Sequence, residues 1–167
     1  MKVTSHTRSC LLNKLNIEIE RRFLINESNF ILPKLKKRIK QAYLFSDSNQ
    51  ALRVRMIEDD YYLTYKYKKS AINRYEFEYQ ISKEDGDQLM SLSENFIIIK
   101  DRYYQKIDNH LWEIDVFYGE NKGLIIAEIE LEDENEGINI PNWVGMEISN
   151  DEKYFNFNLS KKPYTSW

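Results

Sequence analysis

The sequence predicts a mostly β (α+β) fold in which roughly eight antiparallel strands, with short helices between them, form one sheet closed on itself. Three observations carry this expectation. Charged and apolar residues alternate with a period of two in segment after segment, the spacing of strands whose two faces meet different surroundings. Tyr, Phe and Trp make up 14% of the 167 residues, with twelve tyrosines among them, and such side chains suit a pleated, half-buried surface. Short polar clusters separate the alternating runs and read as turns.

Taken in order, residues 16–23 form the first strand, with Glu18, Glu20 and Arg22 on one face and Ile17, Ile19 and Phe23 on the other. Residues 28–41 read as a short helix. Pro33 fits a first turn, where its missing N–H costs little, and Leu35 and Ile39 are four apart. Lys34, Lys36, Lys37, Arg38 and Lys40 then make a solvated helix face. Strands follow at 41–45, 51–58, 60–68 and 74–81, joined by turns such as Ser46-Asp47-Ser48-Asn49 and Glu58-Asp59. Ser82-Lys83-Glu84-Asp85 resembles a capping box that opens a helix through about Leu92. Residues 96–107, 110–118 and 124–132 are three further strands, with Asn109 and the segment 119–123 as their turns. Ser149-Asn150-Asp151-Glu152 caps a last helix to about Leu159. The length suits one domain with a full core, and no repeat or low-complexity linker divides it.

Composition excludes several function classes. The formal net charge is −3, so no global basic excess points to nucleic acid, and any anion binding is local. A single cysteine, Cys10, rules out an internal disulfide framework and a cysteine-based zinc site, and suits a reducing compartment. Two histidines, His6 and His110, are too few for a histidine-rich metal centre. No stretch approaches the length of a membrane span, and Cys10-Leu11-Leu12 is too short for the core of a signal peptide. The expected location is the cytoplasm, with no membrane partner.

The charged faces segregate by sign. Arg53 with Arg55, and Lys100 with Arg102, are basic; Glu113 with Asp115, and Glu128 with Glu130, are acidic. Each strand alone is satisfied by a solvated charged face over an apolar core. The set suggests a second arrangement, because rows of like charge repel unless something of opposite sign lies between them. Cationic rows suit phosphate oxygens, and clustered carboxylates suit hard divalent cations. A barrel with both inside would hold a metal–polyphosphate complex. The alternation alone permits either arrangement.

An ordered series of motifs over residues 16–164 resembles the CYTH superfamily, the triphosphate tunnel metalloenzymes. Glu18-Ile19-Glu20-Arg21-Arg22 is similar to the amino-terminal Glu-x-Glu-x-Lys signature, and Gln41-Ala42-Tyr43-Leu44 to the Gln-x-Tyr-Leu motif. Leu52-Arg53-Val54-Arg55, Leu63-Thr64-Tyr65-Lys66, Arg74-Tyr75-Glu76-Phe77-Glu78 and Lys100-Asp101-Arg102-Tyr103 follow in family order. So do Trp112-Glu113-Ile114-Asp115, Ala127-Glu128-Ile129-Glu130 and the tail around Trp143 and Lys153-Tyr154-Phe155-Asn156. The resemblance implies an eight-stranded antiparallel closed β-barrel, a tunnel with a charged interior and a few peripheral helices, over a single domain at 16–167. Residues 1–15 would be an N-terminal extension.

By the same resemblance Glu18, Glu20, Glu113, Asp115, Glu128 and Glu130 would hold one or two Mg²⁺ or Mn²⁺ ions. Arg22, Arg53, Arg55, Lys66, Arg74, Lys100 and Arg102 would hold a small triphosphate. Tyr43 and Arg22 would act in catalysis, Tyr43 beside the attack site. The signature lysine is replaced by Arg22, which stays charged and grips oxygens through a planar fork, so a phosphate clamp replaces any proton shuttle. The implied activity is a metal-dependent inorganic triphosphatase. Class IV adenylate cyclase, thiamine or nucleoside triphosphatase and a non-catalytic polyphosphate-binding module are the alternatives, with a monomer or homodimer as the assembly. Lys68 and Lys69 are expected at a solvated strand end and Glu78 in an ion pair. Glu132, Asp133, Glu134 and Glu136 are expected in solvent, Trp112 in outer packing beneath helices, and Lys153 at the tunnel mouth.

Overall fold

The computed structural model describes residues 17–26, 28, 30–70 and 72–167; the expected extension, with His6 and Cys10, lies outside the described residues. Among the described residues there are nine strands: β1 Ile17–Ile25, β2 Lys36–Ser46, β3 Gln50–Ile57, β4 Asp60–Lys68, β5 Asn73–Ile81, β6 Ile98–Ile107, β7 His110–Tyr118, β8 Ile125–Leu131 and β9 Val144–Glu147. Two α-helices accompany them, α1 Lys83–Ser91 and α2 Asn156–Lys161. The strands run in the order β5-β4-β3-β2-β6-β7-β8-β1, and β1 returns to β5 to close an antiparallel barrel of eight. Closure is short: Ile17↔Tyr75, Glu18↔Arg74 and Ile19↔Asn73, extended by the Glu20 N–H donating to the Ile72 carbonyl at 2.9 Å. Farther along β1, β9 takes the edge that β5 has left, with Phe23 opposite Glu147.

The expected helix at 28–41 is a correction. Residues 36–46 are β2, paired with β3 on one side and β6 on the other. Two ladders outweigh the helix propensity of a lysine run, which is only tenths of a kcal/mol per residue. Ile39 is buried while Leu35 is 65% exposed, so the four-residue spacing defines no common face. Lys36 and Arg38 instead serve the outer wall, where they hold the buried Asp101 carboxylate at 2.9 and 2.6 Å, while Lys37 lies on the opposite face, paired across the strands with Arg102.

Register fixes which side chains face inward. Directly paired residues share a face, and the pairs Tyr43↔Arg53, Thr64↔Arg53, Lys66↔Glu76, Arg74↔Glu18, Glu20↔Glu130, Arg22↔Glu128, Glu128↔Glu113, Asp115↔Arg102 and Lys37↔Arg102 link the charged positions around the whole barrel. Ile19, Phe23, Trp112, Ile114, Ala127, Ile129 and Leu131 face outward and form one core with Trp143. The cover over them is largely the irregular segment 132–143, not the helices expected; Trp143 meets Trp112 edge-on at 5.4 Å. Helix α1 starts as the capping signal predicts, with Ser82 Oγ accepting the Asp85 N–H at 3.0 Å, and its Gly86 lies against the Tyr61 ring. The last helix is shorter than expected. A 3-10 turn at Glu152–Tyr154 is followed by extended backbone at Phe155, and only then by α2. At that end the inward positions turn apolar, and Ile98, Phe117 and Ile126 pack under Tyr154 and Leu159.

Candidate active site

Three consecutive strands, β7, β8 and β1, make an acidic wall from Glu113, Asp115, Glu128, Glu130, Glu18 and Glu20. Strands β3, β4, β5 and β6 bring the basic residues, apart from Arg22 on β1. Glu113 lies directly opposite Glu128, and Glu20 opposite Glu130. Like charges placed so are unfavourable unless compensated, and the cations interleave with them. Arg102 donates to Glu113, to Glu128 and, through Nε (2.8 Å) and Nη2 (2.7 Å), to both oxygens of Asp115. Arg22 donates to Glu20 at 2.5 Å and lies 3.3 Å from Glu128. Lys66 bridges Glu18 (2.6 Å) and Glu76 (2.8 Å), and Lys100 pairs with Asp115. Arg55 pairs with Glu78 at 2.5 Å, as expected of Glu78.

The titration of these groups follows from burial against pairing. Burial pushes the Glu18 carboxyl up, Glu20 and Glu76 add to it, and Lys66 only partly offsets them, leaving it at about 7. Burial also raises Glu113, with Glu128 and Asp115 adding to the effect against Arg102. Burial acts the same way on Asp115, but Arg102 and Lys100 outweigh it and hold that carboxyl at about 2. Against the same burial, Arg22, Lys66 and Arg74 hold Glu20 below the usual carboxylate range. Burial lowers the Lys100 ammonium in spite of Asp115.

Among the described residues Arg53 and Arg74 have no carboxylate within ion-pair distance, although Glu76, Glu18 and Glu78 act on Arg53 and Glu20 interacts with Arg74 at longer range. Arg53 is buried, and its nearest side-chain acceptor is Gln41 Oε1 at 3.5 Å; its Nε has no partner. Arg74 makes no ion pair among the described residues. Both border a cavity of about 390 Å³ at the barrel mouth, together with Arg22, Tyr43, Lys66 and Lys68. A buried guanidinium without an anion is costly, and a phosphate in this cavity would satisfy it. Gln41 ties the local geometry, since its Nε2 lies 3.3 Å from the Tyr43 hydroxyl while its oxygen faces Arg53. Deeper in, a cavity of about 50 Å³ is lined by Glu18, Glu20, Glu113, Glu128 and Glu130 among cations. That donor set is all oxygen and anionic, the chemistry of a hard divalent cation. Among the described residues no three carboxylates are already gathered into a cage.

Residues 16–164 match the CYTH domain family. The chain belongs to this family. An inorganic triphosphatase of Acetivibrio thermocellus is 39% identical over 153 residues, which span 90% of this chain and 97% of that relative. An inorganic triphosphatase of Nitrosomonas europaea is 33% identical over 144 residues, covering 83% and 93%. A crystal structure of an inorganic triphosphatase superposes with a TM-score of 0.63 at 31% identity, covering 86% of this CYTH chain and 93% of the other.

The barrel thus brings every expected site residue to one lumen, but not in equivalent settings. Asp115 is fully buried and enclosed by Lys100 and Arg102, whereas Glu18, Glu20, Glu113, Glu128 and Glu130 border open space. Lys68 ends β4 as expected, with its side chain partly exposed at the rim of the mouth cavity. Lys153 is a correction, lying over the Tyr154 and Trp167 rings at 4.9 Å from each and away from the mouth. Lys161, Asn156, Phe155 and Phe157 border the mouth instead. Nothing in the alternation pattern marks these four, because they come from the carboxy-terminal tail. Glu136 is held by His110 at 2.8 Å, while Glu132, Asp133 and Glu134 are exposed as expected. No helix among the described residues is long and apolar enough to cross a membrane.

Proposed function

We propose that this protein is a divalent-metal-dependent inorganic triphosphatase that converts tripolyphosphate and water to pyrophosphate and phosphate. The observation that carries the reading is the facing of an acidic wall and two arginines, Arg53 and Arg74, that touch no carboxylate of the described residues directly, inside one closed barrel. The full-length similarity to two inorganic triphosphatases supports it.

Roles follow from the settings of the residues. Arg53 and Arg74 take phosphate oxygens directly, because no carboxylate has to be displaced first. Arg22 reaches the same mouth while remaining paired to Glu20 and Glu128, so its fork links the phosphate site to the acidic wall. Glu18, Glu20, Glu113, Glu128 and Glu130 are the candidates to hold Mg²⁺ or Mn²⁺, which when bound neutralises phosphate charge and activates water. Asp115 serves as the anchor that sets Lys100 and Arg102. Tyr43, buried at the mouth beside Arg53, is placed to orient the attacking water. The basic residues stabilise charge spreading over the transferred phosphoryl group. The single cysteine and the acidic balance suit a cytoplasmic protein acting on a small anion and not on nucleic acid, as a monomer or homodimer.

The test is phosphate release from tripolyphosphate, ATP and thiamine triphosphate, each with Mg²⁺, with Mn²⁺ and in excess EDTA. Tripolyphosphate should be turned over fastest, and only with metal. Faster release from ATP or thiamine triphosphate, or undiminished turnover in EDTA, would overturn the reading.

A further inference from the structure

Phe155 has no role in the scheme above, yet two guanidinium groups meet at its ring. The Arg22 Cζ lies 5.3 Å from the ring centroid and the Arg74 Cζ 5.6 Å from it. The two arginines come from different strands, and like charges brought to one place repel. Arg22 is offset by Glu20 and Glu128, but Arg74 has no ion pair among the described residues. The negative face of an aromatic ring attracts a cation within about 6 Å, most strongly where water is thin.

The ring is held firmly enough to direct them. Phe155 sits in extended backbone (φ −67°, ψ 134°) between the 3-10 turn and α2. Its N–H donates to the Glu152 carbonyl at 3.0 Å, and its carbonyl accepts the Leu159 N–H at 2.9 Å. Leu159 is itself fully buried, and its carbonyl accepts from the Asn121 side chain at 3.3 Å. The ring also borders the mouth cavity.

We infer that Phe155 is a positioning residue, which holds Arg22 and Arg74 side by side at the mouth so that both meet the oxygens of one bound triphosphate. The inference rests on the triphosphatase reading. It also ties the seating of α2 to substrate affinity, through a ring that belongs to the tail and two cations that belong to the barrel.

Phe155→Leu separates this role from mere filling, because it keeps apolar volume and removes the π face. The readouts are KM and kcat for tripolyphosphate with saturating metal, the Kd of tripolyphosphate in EDTA by calorimetry, and the melting temperature. KM and the metal-free Kd should rise about tenfold, with kcat changed much less. Melting should stay within about 2 °C of the parent. Phe155→Tyr should restore the parent values, and the effect of Phe155→Leu should shrink in an Arg74→Gln background. Should Phe155→Leu fail to fold, Phe155→Met carries the same comparison. An active parent with unaltered KM in Phe155→Leu overturns the inference, as does an undiminished effect in the Arg22→Gln, Arg74→Gln double variant. A parent that releases no phosphate from tripolyphosphate defeats the triphosphatase reading instead.

Discussion

Arg102→Met removes a cation that touches three carboxylates at once. Arg102 donates to Glu113, Asp115 and Glu128, and two of these, Glu113 and Glu128, face each other directly across neighbouring strands. Methionine keeps much of the stem, so the loss is mainly one of charge. Removing one partner of a buried ion pair costs about 3–5 kcal/mol, because the other is left uncompensated. Lys100 remains on Asp115, and the small cavity gives Glu113 and Glu128 some access to water, which places the expected loss near the lower end, ~3 kcal/mol. For a domain of this size that is a fall in melting temperature of about 6–12 °C. The assay is thermal unfolding in EDTA, followed by the fluorescence of the buried Trp112 and Trp143. The deficit should be largest near pH 8 and shrink as the orphaned carboxylates protonate toward roughly pH 5. Mg²⁺ or Mn²⁺ should recover part of it. A variant that melts within about 1 °C of the parent at pH 8 in EDTA would refute the account of the network. A deficit independent of pH would show that the loss is one of packing.

Three further outcomes follow from single sites. Arg53→Gln should raise KM for tripolyphosphate by roughly 10–100-fold, the worth of a charge-assisted hydrogen bond, while melting changes little because no carboxylate among the described residues touches Arg53 directly; an unchanged KM would contradict the phosphate-binding role. Glu18 has a folded pKa of about 7 against an ordinary 4.5, so its contribution to stability is fully present below the unfolded value and is lost as pH rises through the folded one. Glu113 is shifted in the same direction, and metal-free protein should therefore melt lower at about pH 8 than at about pH 5. Glu18→Gln should flatten that slope, and a slope identical in the variant would remove Glu18 as its source. Gly86→Ala places a Cβ 2.0 Å from the Tyr61 ring, which should cost about 1–3 kcal/mol despite alanine's better helix propensity. Its kinetics should match the parent's, and calorimetric unfolding checks the sign.

Most of the barrel was legible because its information has a period of two. Once Glu18, Glu20 and Arg22 are assigned to one face, a one-residue slip would reverse every side chain. The pairs Glu18↔Arg74, Glu20↔Glu130 and Arg22↔Glu128 then carry that face to the neighbouring strands. The alternation could not say whether the shared face points in or out. Closure decides that, through the short β1–β5 pairing, and closure is a property of distant segments. The hidden division among the cations has the same origin. Arg53 and Arg55 look alike in sequence, but Glu78 lies within reach of Arg55, and among the described residues no carboxylate forms an ion pair with Arg53.

The two places where local pattern misled show which interactions it omits. At 28–41 a lysine-rich stretch with a four-residue apolar spacing reads as a helix, yet Lys36 and Arg38 face Asp101 from β6, sixty-odd residues away. A carboxylate buried on an outer wall needs cations across a strand pair, and two ladders supply more than local propensity can. The tail misled in the other direction. Lys153 stands one turn from the mouth in sequence terms, but extended backbone at Phe155 breaks the helix and turns Phe155, Asn156 and Lys161 to the cavity. What selects those residues is packing of Tyr154 and Leu159 onto Ile98, Phe117 and Ile126. That contact joins the last part of the chain to the inward apolar ends of β6, β7 and β8. The tail's side chains reach the site because the barrel runs out of charged inward positions at that end and has to be covered.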